Sequence, residues 1–113
     1  MTKYLISFPG EAMVLTPEEF VQAGIDAHAV LREAKAAGVW VFGGGLSEEV
    51  APVRVSADGT VTPGTYEPTR RIEGGYSILD LPSREAALEW AAKFAAACRC
   101  DQEVREFMDD PES

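Results

Sequence analysis

The chain has 113 residues, enough for one domain and little more. Hydrophobic residues make up 46% of it, which supplies a core and argues against disorder. A formal net charge of −9 argues against a surface for nucleic-acid phosphates or anionic lipid, so neither nucleic acid nor membrane is expected as a partner.

Lys3–Phe8, KYLISF, is short, apolar and bounded by Pro9-Gly10, and reads as a first strand. The apolar run there lacks the length and cleavage pattern of a signal peptide, and the expected location is cytoplasmic. Gly10–Leu15 reads as a loop. Thr16-Pro17-Glu18-Glu19 then starts a helix, with Thr16 as cap, Pro17 in the first turn and Glu19 closing a capping box. The helix is predicted to reach about Ala37 and stop at Gly38. At 100° per residue, Phe20, Ala23, Ala27, Val30, Leu31 and Ala34 share one face, which is expected to bury against a sheet.

Val39–Phe42 reads as the second strand, ended by Gly43-Gly44-Gly45. Pro52–Ser56 and Thr60–Thr62 flank Ala57-Asp58-Gly59, an Asp-Gly hairpin signal. Pro63–Gly74 reads as a polar loop and Gly75–Leu81 as a strand. Pro82-Ser83 opens a second helix with Ser83 as cap and Ala87, Ala91, Phe94 and Cys98 as its buried stripe. Glu85, Glu89 and Lys93 are spaced for pairs along its solvated face. Glu103–Met108 closes the pattern as a last strand.

The order β-α-β, hairpin, β-α-β is the split βαβ arrangement of a ferredoxin-like α+β fold: an antiparallel sheet with both helices on one face. Residues 1–108 form the single domain and 109–113 an acidic tail. The open face of such a sheet invites a second copy, so a homodimer is expected.

Four features are candidates for chemistry. The glycine triplet lacks the Gly-Lys-Ser/Thr ending or G-x-G-x-x-G spacing of a phosphate loop, and Glu48 and Glu49 follow it. It reads as residues needing positive φ or close backbone approach, with Gly43 and Gly44 leaving room for a ligand at a strand end. His28, the one histidine, lies at the border of the first helix's apolar face, where it can point into a pocket. Asp26, two residues away, is rotated off its side, so a carboxylate partner must come from elsewhere in the chain or from a second subunit. Tyr66, Arg70 and Arg71 mark a positive spot that either binds a carboxylate or phosphate ligand or pairs with the protein's own acids. Cys98 and Cys100 are too close for an unstrained disulfide and supply half a zinc site at most. No metal and no cofactor is implied.

With these elements placed, the chain resembles the YCII-related family, in the branch named for an Asp-Gly-Pro-Phe motif. The likeness lies in KYLISF, TPEEF, HAVLREAKAAGVWVFGGGL, GGYSILDLPSREAALEWAAKFAAA and EVREF, in order across nearly the whole chain. The resemblance implies a dimeric α/β-barrel architecture and a small-molecule pocket between sheet and helices. It also implies acid–base chemistry at His28. Related members carry a histidine at that position, paired in their proposed catalysis with an aspartate, and one relative is a lyase that removes chloride from an aromatic ring. The function expected on this basis is binding of an unidentified small molecule with lyase- or isomerase-type chemistry; the alternative is a non-catalytic accessory module. The chain departs from the motif at Pro63-Gly64-Thr65-Tyr66, where the aspartate is missing. Asp58, Glu67 and Glu73 are the acids left to replace it.

Overall fold

The computed structural model describes residues 1–113 and contains, in chain order, β1 (Thr2–Phe8), α1 (Pro17–Ala36), β2 (Trp40–Gly45), β3 (Val53–Val55), β4 (Val61–Pro63), β5 (Gly75–Leu81), α2 (Arg84–Cys98) and β6 (Glu103–Glu106). Four strands make one antiparallel sheet in the order β2-β5-β1-β6, and β3 and β4 form a separate hairpin. Both helices cover one face of the sheet, so the fold is the ferredoxin-like α+β arrangement expected from the element order.

Local chemistry sets the helix limits. The Thr16 hydroxyl accepts from Glu19 N at 3.2 Å, and Glu19 Oε1 accepts from Thr16 N at 3.1 Å. These bonds hold the Glu19 carboxyl below its ordinary range, as expected for an anion satisfying helix-start donors. Gly38, at φ +74°, carries the chain out of the helix in a conformation that side chains resist. Ser83 caps α2 by accepting from Ala86 N.

The core lies under α2. Tyr4 and Ile6 of β1 and Leu79 and Leu81 of β5 point to the helix side and meet Ala87, Ala91 and Phe94, with Ala34 of α1 beside them. Alanines let α2 descend onto the sheet, and Ile6, Leu79 and Leu81 lose essentially all contact with water. Burial on that scale stabilises by about 1.5–3 kcal/mol per large side chain. Phe94 meets Trp40 of β2 at a centroid distance of 6.3 Å, in a tilted pair.

Three expectations are corrected. The α1 stripe is not uniformly buried: Ala23 and Ala34 are, Ala27, Val30 and Leu31 are half-buried, and Phe20 is 61% exposed. The sheet ends beneath the first turns of α1 are glycine-rich and offer few side chains to pack against. The triplet Gly43–Gly45 does not end the second strand but belongs to it, paired with Ser77, Tyr76 and Gly75 after a bulge between Trp40 and Phe42. None of the three adopts positive φ. Lys93 turns from Glu89 to Glu33 on α1 and lies 4.9 Å above the Trp90 ring, bridging the helices instead of decorating one.

The hairpin stands clear of the sheet, and every residue from Leu46 to Val61 is exposed. Gly59, at φ +89°, makes its turn, with Asp58 accepting from Thr60 N. Asp109–Ser113 is likewise exposed. No helix is long and apolar enough to cross a membrane.

Candidate functional site

Where the sheet loses its side chains, two rings lie flat. Register pairs Phe8 with Gly75, and a Cβ on Gly75 would fall 2.6 Å from the Phe8 ring. On β2 a Cβ on Gly43 would fall 2.5 Å from the Trp40 ring and 2.7 Å from Tyr76 O. Each glycine thus makes the bed for an aromatic ring. Gly74, at φ +97°, brings two backbone segments into contact: a Cβ there would lie 2.2 Å from Phe8 O and 2.6 Å from Gly10 N. The result is a low floor of glycine backbone and two flat rings, from which Ile6 and Ser77 project toward α1.

Above this floor runs the inner face of α1, with Phe20, Ala23, Gly24, Ala27, His28 and Leu31. Between helix and floor is a cavity of about 470 Å³. Phe94, Cys98 and Gln102 close one side, while Gly10, Met13, Leu46 and Glu48 border it where the loops after β1 and β2 meet. Its size falls within the range of small-molecule sites, and its wall is mostly apolar, with a few polar groups.

His28 and Gly44 of the sequence-derived candidates line this cavity. Gly43 is one residue away beneath Trp40 and does not line it. Tyr66, Arg70 and Arg71 lie outside. Tyr66 is exposed, with the Arg54 guanidinium 5.8 Å from its ring centroid, near a shallow groove by the hairpin. Arg70 pairs with Glu67 at 2.9 Å, and Arg71 Nη1 donates to both Glu11 oxygens at 2.8 and 2.9 Å. Both arginines of the local positive spot are thus paired with the protein's own acids.

His28 is exposed on the cavity border, makes no side-chain hydrogen bond within the chain and has no carboxylate at ion-pair distance. Asp26 instead accepts from Gln22 at 2.9 Å and from Arg99 at 3.1 Å, tying α1 to the end of α2. The substitute acids are also elsewhere: Asp58 at the hairpin tip, Glu67 on Arg70, and Glu73 beside Gly10. The imidazole therefore lies at the cavity border with no carboxylate of the chain at ion-pair distance.

Cys98 is buried, and burial, with a smaller push from Cys100, raises its thiol from 9.0 to about 11. It keeps its proton at neutral pH and is a poor nucleophile. No further His, Asp or Glu joins the two cysteines in a metal-binding group.

Phe8, Ser77 and Gln102 border the cavity without having been site candidates in the sequence, and Glu48, read there only as an argument against a phosphate loop, joins them. One signal was present: Gly74-Gly75 forms a second glycine pair, which β5 sets beside Gly45. No family model matches the chain, and no curated protein matches it.

Proposed function

We propose that this chain is a small-molecule-binding member of the YCII-related family, of the branch with the Asp-Gly-Pro-Phe motif, and that it acts in the cytoplasm as a homodimer. His28 is its acid–base group, in chemistry of the lyase or isomerase type. The observation that carries this reading is the cavity of about 470 Å³ between α1 and the glycine floor, with His28 at its border. An imidazole placed there can take a proton from, or return one to, a molecule held against the rings.

The second copy is supported by the sheet face away from the helices. Leu5, Ile78 and Phe42 form a cross-strand row on that face, and Phe42 is 69% exposed. Light scattering at micromolar concentration is expected to give twice the chain mass; a monomer mass contradicts the dimer.

The test of the chemistry is a thermal-shift screen of metabolites, followed by turnover of the binders. His28→Ala is expected to keep binding and to lose about 10²–10⁴-fold in rate. Turnover by His28→Ala equal to that of the native chain rules out the acid–base role. The absence of a carboxylate beside His28 favours a second reading, a non-catalytic ligand-binding module. Under it, the native chain and His28→Ala bind the same metabolite equally and neither transforms it.

A further inference from the structure

The wall of the cavity carries one formal charge, and it is negative. No lysine or arginine lines it, and Glu48 is its one formally charged wall residue, His28 being neutral in the formal count. Glu48 Oε1 would lie 3.3 Å from a Cβ on Gly10, and Glu73 Cγ 3.5 Å from the same point, so two acidic side chains flank the loop at the border. Neither carboxylate is in an ion pair or accepts a side-chain hydrogen bond. Arg71 is committed to Glu11 through both carboxylate oxygens, and Arg105 pairs with Glu103. Burial holds the Tyr76 phenol above its ordinary value, with Glu73 adding to the rise and Arg105 opposing it.

Four rings, Phe8, Phe20, Trp40 and Phe94, belong to the same wall. Aromatic faces carry negative electrostatic potential and attract cations, and an adjacent unpaired carboxylate adds to that attraction. An anion would meet the reverse: ring faces and a carboxylate, with no cationic side chain to replace lost hydration.

We propose that the cavity selects small organic cations, an ammonium group on an apolar ring or chain, with Glu48 as the counter-charge and the rings as the apolar bed. This rests on the reading of the cavity as a small-molecule site. It assigns the ligand a charge class and places its cationic end toward Glu48.

Three probes of similar shape test it: 2-phenylethylammonium, 2-phenylethanol and phenylacetate, titrated calorimetrically against the full chain at fixed salt. The cation is expected to bind about three- to tenfold tighter than the alcohol, and phenylacetate more weakly than either. Glu48→Gln is expected to bring the cation close to the alcohol while leaving the alcohol within about twofold. Glu89→Gln, which removes one charge from the exposed side of α2, is expected to leave the ratio unchanged and so separates a local effect from the net charge of the chain. Equal affinities across the series, tighter phenylacetate, or equal effects of Glu48→Gln and Glu89→Gln overturn the charge selection and leave the cavity a binding site. Failure of all three probes to bind overturns the charge selection and the binding site together.

Discussion

The two helices cover the same sheet and carry similar apolar stripes, yet one half of the interface is filled and the other hollow. Under α2, Ala87 and Ala91 approach Tyr4, Leu79 and Leu81 with almost no water between them. Under the first turns of α1, Phe20 remains mostly exposed above Gly45, Gly74 and Gly75. A helical stripe becomes core only if the opposing strands supply volume. Glycine supplies none, and the missing volume becomes the cavity.

This contrast makes graded predictions. Leu79→Ala, in the filled half, is expected to destabilise by about 2–5 kcal/mol in urea unfolding, whereas Phe20→Ala in the hollow half is expected to cost under about 1 kcal/mol. Equal costs would mean that the halves do not differ. Gly74→Ala places a methyl group against Phe8 O at a positive φ and is expected to cost about 2–4 kcal/mol by the same measurement.

Alkaline pH probes the seam where α2 closes the cavity. The Cys98 thiol rises from 9.0 to about 11 in the folded chain. Between those values the folded state holds a proton that the unfolded state has lost, so raising pH favours unfolding. Its contribution is fully present below pH 9.0 and is lost by about pH 11, on the order of 1–2 kcal/mol. Cys98→Ala is expected to flatten that part of the pH–stability curve; an unchanged slope contradicts the burial argument. At the small end, Thr16→Ala removes the α1 cap at an expected cost of about 1 kcal/mol, and circular dichroism at intermediate urea reports the frayed first turn.

Features specified by neighbours in sequence were the legible ones. The Thr16–Glu19 capping box, the Gly38 stop, the Asp58-Gly59 turn and the α2 stripe all depend on residues within a turn or two. The α1 stripe misled because periodicity shows which residues face inward but not what they face. The triplet misled for a related reason: Trp40 covers Gly43 from within its own strand, and β5 supplies the hydrogen bonds that keep all three glycines extended. At the site, helical geometry separated His28 from Asp26 in advance. Gly10, Glu48 and Gly74 come together only through the tertiary fold, and nothing in their spacing announces it.

The hollow under α1 is the central claim, and Ala27→Phe tests it most directly. Ala27 lies half-buried on the inner face of α1 and lines the cavity. If the space is there, a phenyl ring enters it, and urea unfolding shows stability unchanged or raised while probe binding is lost. If α1 instead rests on the sheet as closely as α2 does, the added ring overpacks the interface and the same measurement shows a loss of about 1–3 kcal/mol.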